Sequence, residues 1–488
     1  MQSHVMRMRW ACPSLGMLVG VAVGLGCWVR ADHHCSNLDG DATCAVRGGG
    51  SFCDVCQAEG DGCTDARPGA GCHFAGGEPE GSSAGASAPE ETMTGGPGGP
   101  LTTGAAECAS DAGCGDPAAP FCAPDGTCVA CDGMSEPDAA CAGLDEARPA
   151  CVDGECVQCS EVNATACDAM LWICDAGAHS CAGCTEHEQC ASGACELLEG
   201  RCFPTGAISL EVDGDGNADH STVTAAVASI PAGELGIIRL HEREGGEAYP
   251  SVLVIDGGKT LALLAAPGEE PTLRGVLGGD ALRVDGSGTT LYLDRIWLQE
   301  SNAGRGLIVG EGAAAWVDRS HIVRNADGGV LAEAGASVTI RSSFVGGGIV
   351  ADAPVVEVSG ANARIVYTTL GGGLGGARAL LCDAAASVDV RNSVLLARTH
   401  LPEIDCDATF DRNAAELDLG GNNVAVGPMS VLWFTGYAQG DFSPSLQGAG
   451  VLADIARWRE GDPRVDIDGE PRPTGADGVS DHAGADVP

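Results

Sequence analysis

One short pattern returns every 23 to 26 residues between Ala281 and Pro402, and nothing else in the chain constrains its fold so strongly. The cores read Leu291-Tyr-Leu-Asp-Arg-Ile-Trp-Leu298, Ala315-Trp-Val-Asp-Arg-Ser-His-Ile322, Val338-Thr-Ile-Arg-Ser-Ser-Phe-Val345, Arg364-Ile-Val-Tyr-Thr-Thr-Leu370 and Val388-Asp-Val-Arg-Asn-Ser-Val-Leu395. Each alternates apolar and polar residues, the period of a strand, and Gly-rich turns rather than helical patterns separate them. A unit of this length cannot bury its own apolar face, but stacked copies enclose a continuous interior. The expected fold is all-β: a right-handed parallel β-helix solenoid, C-terminal in the chain and preceded by small disulfide-rich modules. Cys382 and Cys406, each followed by Asp-Ala, lie 24 residues apart, so one rung brings them within reach of a disulfide or stacks them as buried thiols.

Cysteine usage sets the compartment. Of 26 cysteines, 22 lie between Cys35 and Cys202, a density that belongs to an oxidising environment. Residues 1–31 read as a signal peptide: Arg7 and Arg9 precede an apolar run from Trp10 to Val29, and Val29-Arg-Ala31 offers a cleavage site. Lipid attachment at Cys27 and an uncleaved anchor are rival readings, and they are the only membrane connections the sequence offers. Secretion or cell-surface display is therefore expected. Residues 32–73 form a module with Cys35, Cys44, Cys53, Cys56, Cys63 and Cys72, too poor in large apolar residues to fold without disulfides. Cleavage after Ala31 would expose Asp32-His33-His34, a donor set suited to Cu(II) or Ni(II). Residues 74–107 are Gly, Ser, Pro and Glu without periodicity, a disordered linker.

Residues 108–203 carry four groups of four cysteines: Cys108, Cys114, Cys122, Cys128; Cys131, Cys141, Cys151, Cys156; Cys159, Cys167, Cys174, Cys181; and Cys184, Cys190, Cys195, Cys202. Two residues separate each group from the next. The array resembles the short cysteine-rich repeats of dickkopf-like and receptor ectodomain modules. Two disulfides per unit are expected, making a stiff stalk. The CxxC pairs at the junctions lack the facing knuckle of a zinc ribbon and the strand–helix context of a redox site. Asn163-Ala-Thr165 is a glycosylation sequon.

Residues 205–488 make up the solenoid domain, where the composition turns to Val, Leu, Ile and Ala. Ser221 and Thr222 open a helix-compatible run that Pro231 ends, a cap for the first rung. This run resembles the short helix that plugs pectate-lyase-like β-helices. The end of the chain, with Asp441-Phe-Ser-Pro-Ser-Leu446, Asp466-Ile-Asp-Gly-Glu-Pro-Arg-Pro473 and Gly484-Ala-Asp486, resembles the closing segment of secreted bacterial right-handed β-helix proteins. Together the resemblance spans roughly residues 208–486 and concerns the fold, which does not carry activity.

Functional signals are sparser. The formal charge of −42 excludes nucleic acid and anionic membrane surfaces as partners, since no basic patch exists to neutralise phosphate. The solitary Lys259 reads as composition bias. No cofactor is required; calcium is the one the sequence admits, at Asp213, Asp215, Asn217 and Asp219, whose oxygens alternate as in calcium loops although Thr224 stands where a bidentate Glu would. Aligning the cores puts Asp294, Asp318, Arg341, Tyr367 and Arg391 in one outward column with Arg295 and Arg319 beside it. Stacked carboxylates ~4.8 Å apart are either a catalytic candidate, with Asp294, Asp318 and Arg341 as its residues, or a surface charge ladder. His321 stands alone at the next outward position. Pectinolytic enzymes of this fold need Gly-His-Gly with Arg-x-Lys, or aspartates holding calcium with an Arg base; the first set is missing. The leading reading is a non-catalytic protein whose stalk presents a β-helix to a polysaccharide or cell-surface protein. The alternative is a divergent polysaccharide lyase or hydrolase acting on acidic glycans.

Overall fold

The computed structural model describes residues 108–488 except 277, 348–352, 374–376, 398–402, 430 and 476, together with two strands, Phe52–Cys53 and Cys63–Thr64. The chain divides into two units, Met1–Leu101 and Thr102–Pro488. In the first, those two strands pair antiparallel with Cys53 opposite Cys63. The leader, Cys27, His33, His34, the linker and the other cysteines of the six-cysteine module lie outside the described residues.

The second unit is a parallel β-solenoid of three sheets. Its first sheet has nine strands, from Ile208–Val212 to Thr409–Asp411; the second has nine, from Tyr249–Ser251 to Val424–Ala425; the third has seven, from Leu253–Ile255 to Ile404–Asp405. One turn visits all three, as Thr290–Asp294, Trp297–Gln299 and Leu307–Val309 do, and the next lies directly on it through Ala314–Asp318, His321–Val323 and Val330–Ala332. Inside, like stacks on like. Leu293, Val317, Ile340, Ile365 and Val390 form one fully buried column, and Leu298, Ile322, Val345, Leu370 and Leu395 another. Cys382 and Cys406 are bonded to each other across the last rungs of the third sheet.

The turn from first to second sheet is sharp, and the sequence pattern shows how it is made. A single left-handed residue occupies each corner: Arg295, Arg319, Ser342, Tyr367, Asn392 and Arg412, all at φ between +42° and +61°. That conformation costs non-glycine residues roughly 1 kcal/mol or more. The next residue restores the loss. Ser320, Ser343 and Ser393 accept from the backbone N–H of Ile296, Ser320 and Thr368 one rung below, at 3.2, 3.1 and 3.1 Å. The same hydroxyls donate to the carbonyls of Asp318, Arg341 and Arg391 at 2.7, 2.7 and 2.8 Å, and Asn413 extends the ladder.

The N-terminal end and two outer faces are closed by the chain itself. Helix Val223–Ser229, capped by Thr222, buries Val223, Ala226 and Val227 over the first rung. Lys259 is buried, and its Nζ donates to the Val227 carbonyl at 3.0 Å, satisfying the last turn of that helix. Its role is therefore a helix cap. Residues 429–488 fold back along the second sheet, where Phe442, Tyr437, Phe434 and Trp458 form one apolar cluster with Phe344, Val394 and Tyr367. Gly371 makes room for this: a Cβ there would strike the Phe442 ring. The early rungs of the first sheet are covered by the end of the cysteine-rich array. All four units pair their cysteines first to third and second to fourth, across a two-stranded hairpin that puts the third and fourth side by side. The fourth unit docks on the solenoid: Cys184, Ala194, Leu197 and Phe203 share a core with Ile237, Ala262, Leu264 and Tyr292. The composition change after Pro204 is thus no break in packing.

The corner ladder makes a direct prediction. Ser320→Ala leaves the buried N–H of Ile296 without its acceptor and lowers stability by about 2 kcal/mol, read as a lower urea midpoint with unchanged slope.

Candidate functional site

The column singled out from sequence is real but enclosed. Register places Asp294, Asp318, Arg341, Val366 and Arg391 on successive rungs. Val366, not Tyr367, occupies the fourth place; Tyr367 is the left-handed corner residue that follows. Asp294, Asp318 and Arg341 are 4%, 3% and 5% exposed, because the fourth cysteine-rich unit lies on them. Arg319, 4% exposed, binds both oxygens of Asp294 at 2.8 and 2.7 Å and reaches Glu188 of that unit at 2.9 Å. Arg295 reaches the same Glu188 at 2.8 Å. Arg341 donates to Asp318 at 2.8 Å and to the Thr185 carbonyl at 2.7 Å, with its guanidinium over the Trp316 ring. Further up, Arg391 is paired with buried Asp462 of the C-terminal segment.

Three arginines and three carboxylates balance in this joint. His187 completes it, buried against Tyr292, with Nδ1 accepting from the Cys195 N–H at 3.0 Å. Burial pushes its pKa down, against the pull of Asp294 and Asp318. A joint of this kind holds two pieces of chain together; it leaves neither carboxylate open to solvent.

The other sequence candidates are engaged locally. In the loop after strand Ile208–Val212, Asp213 accepts from the Asp215 N–H at 2.8 Å, Asp215 from the Glu244 N–H at 2.7 Å and Asp219 from the Glu211 N–H at 3.0 Å. These carboxylates are turned to separate partners and are not brought together. Among the described residues the ligand atoms that do converge belong to cysteine triplets, all in disulfides. Asn163 uses its amide nitrogen on Asp138 at 2.9 Å and the Pro149 carbonyl at 3.1 Å, so the sequon side chain is a structural fastener.

A cleft of about 330 Å³ opens where the first-to-second-sheet corner meets the C-terminal segment. Four stretches line it: Gly268, Glu269 and Glu270; Arg295 and Trp297; Arg319 and His321; and Ile467, Asp468 and Gly469. The corner ladder sets its geometry, since Arg295 and Arg319 are the left-handed residues of successive corners and Trp297 and His321 each follow two residues later. His321 does not stand alone. Its ring stacks on Trp297 at 3.7 Å and 3°, and meets the edge of Phe344 at 5.1 Å. It is 8% exposed, burial alone pushes its pKa down to about 3, and its side chain makes ring contacts and no hydrogen bond among the described residues. A neutral imidazole lining a cleft can accept a hydrogen bond through one ring nitrogen.

The acidic side of the cleft differs. Glu269 is held by His241 at 3.1 Å, whose other nitrogen meets Glu211 at 3.2 Å. Burial opposes charge on His241, but the two glutamates outweigh it and raise its pKa. Partial burial and the carboxylates of Asp466, Glu270, Asp441 and Glu470 raise the pKa of Asp468. Beneath the rim, burial together with Asp468 and Asp466 lifts Asp486 to about 7. In the sequence Asp468 and Asp486 belonged to the closing segment and Arg295, Arg319 and His321 to the repeat cores, but nothing there brought them around one cleft with Glu269 and Glu270, because four distant stretches line it.

The fold and joint define a class: a parallel β-solenoid sealed along one face by disulfide-rich units. A family of unknown function (DUF8331) matches residues 96–208, the disulfide units and the chain leading into the first strand. No curated protein matches the chain. Among solved structures, a pectin methylesterase from Aspergillus niger is 13% identical, with 46% of this chain and 84% of that chain covered and a TM-score of 0.22, a likeness that says nothing about activity.

Two measurements probe the joint and the rim. Arg319→Ala strips buried Asp294 of its counter-charge and destabilises by about 3–5 kcal/mol, whereas Arg295→Ala, a solvent-edge pair, costs below about 1 kcal/mol in the same denaturation assay. Asp486 binds its proton more tightly folded than unfolded, so its contribution is full below about pH 4 and declines as pH rises to about 7, by at most ~1.4 kcal/mol per unit. Stability of Asp486→Asn against pH lacks that decline relative to the unsubstituted chain.

Proposed function

We propose that this chain is an extracellular, non-catalytic saccharide-binding protein whose ligand sits in the cleft at Trp297 and His321. The eight disulfides of residues 108–202 support an oxidising, extracellular setting. Among the described residues no helix is long and apolar enough to cross a membrane. A cleavable leader ending at Ala31, or lipid attachment at Cys27, is the export route we propose. One observation carries the binding reading: a cleft bearing a neutral imidazole among carboxylates and guanidinium groups. Such a lining offers donors and acceptors to hydroxyls, and its volume is at the low end of small-molecule sites, about 300–1,000 Å³. A protein partner would call for a flatter, more apolar patch. The enclosure of Asp294, Asp318 and Arg341 supports the absence of catalysis along their column.

A second reading rests on Asp468. It lines the cleft with Glu270, and partial burial and neighbouring carboxylates raise its pKa, so a glycoside hydrolase using this carboxyl pair in the same cleft is the competitor. An oligosaccharide panel separates the two. Binding without release of reducing ends, weakened about tenfold in Glu270→Ala, supports the binding protein. Release of reducing ends that Asp468→Asn abolishes supports the hydrolase, and no retention of any glycan rejects both.

A further inference from the structure

The charges facing the cleft go further than a generic sugar site, and the inference rests on the saccharide reading above. Arg319 is already matched by Asp294 and Glu188, and Arg295 by Glu188. Glu269 is matched by His241. Two carboxylates on the rim remain, Glu270 and Asp468, and among the described residues neither forms an ion pair. The charges that act on Asp468 are those of Asp466, Glu270, Asp441 and Glu470, all negative. The third polar group is the His321 imidazole, nine-tenths buried and without a side-chain hydrogen bond among the described residues. It lines the same cleft as the two carboxylates.

We propose that the cleft selects an amine-bearing sugar, a hexosamine unit with a free ammonium group, through Glu270, Asp468 and His321. An ammonium has three N–H donors and no acceptor, and this lining supplies two carboxylates and one ring nitrogen to receive them. A neutral imidazole accepts through one nitrogen; the protonated form could not, and burial keeps His321 neutral throughout the physiological range. A uronate would meet the opposite conditions. Both arginines of the cleft are spent internally, two rim carboxylates are bare, and the chain carries a formal charge of −42. The cleft therefore disfavours the acidic glycans that the sequence alone leaves open.

The test uses the full-length chain with glucosamine oligomers, their N-acetylated counterparts and uronate oligomers, followed by calorimetry at two ionic strengths. Glucosamine oligomers bind at least about tenfold tighter than the acetylated series, and raising salt from about 0.05 to 0.5 M weakens them. Glu270→Gln and Asp468→Asn each lower that affinity at least about fivefold, while Glu311→Gln, an exposed carboxylate on a distant turn, does not. Equal binding of the acetylated oligomers overturns the inference and leaves the saccharide reading standing. Equal losses in all three variants reduce the effect to general attraction by an acidic chain and overturn it as well. Calcium bound by Glu270 and Asp468 with no oligomer bound overturns it too, and failure of every oligomer removes both readings.

Discussion

The guanidinium of Arg319 ties the molecule together. It bonds a carboxylate of the rung below, Asp294, and a carboxylate 131 residues earlier in the chain, Glu188. A parallel solenoid satisfies its backbone by stacking, but its outward columns are left to whatever covers them. Here the covering is supplied from both sides, by disulfide units before the solenoid and by the closing segment after it. Burying charge is costly, and the joint tolerates it only because Arg295, Arg319 and Arg341 balance Asp294, Asp318 and Glu188. Remove that balance and the fourth cysteine-rich unit would sit on unpaired charge. What reads as a stalk is, over its last unit, part of the solenoid's wall.

The corner ladder is the second dependency. Left-handed residues at consecutive rungs would be a standing strain without the hydroxyls of Ser320, Ser343, Thr368 and Ser393, all fully buried. Because each hydroxyl links two rungs, the corner repeats with little drift. That repetition stacks Trp297 on His321, and places Arg295 and Arg319 one above the other where Glu188 can bridge them. The cleft follows from the same regularity: its floor and one wall are successive corners, and Asp468 and Glu270 come from the loops that meet there.

Much of the architecture was legible in the sequence. The apolar alternation located the rungs, and the Asp294, Asp318 and Arg341 register was correct. The fourth core slipped by one residue because Val366 and Tyr367 are both acceptable at an outward site, and only the corner conformation separates them. Grouping of cysteines by four was visible; first-to-third and second-to-fourth pairing was not, since spacing admits other connectivities. Burial of the charged column could not be read from any local pattern, because its cover is more than 100 residues away in sequence. The cleft escaped for a related reason: four stretches far apart in sequence make it, and no local pattern brings them together. Lys259 shows the converse, a residue whose rarity invited no role and whose position under the cap helix gives it one.

The central claim is that the fourth cysteine-rich unit folds as one body with the solenoid, so that the Asp294 column is a joint. Hydrogen–deuterium exchange addresses it most directly, because units one and two share the disulfide pattern and serve as an internal reference. The account predicts that amides of residues 184–203, including Cys195 and Phe203, are protected at least about tenfold more than those of residues 108–156, at the level of strands Thr290–Asp294 and Ala314–Asp318. Equal protection across all four units, with the two strands exchanging independently of them, would contradict it.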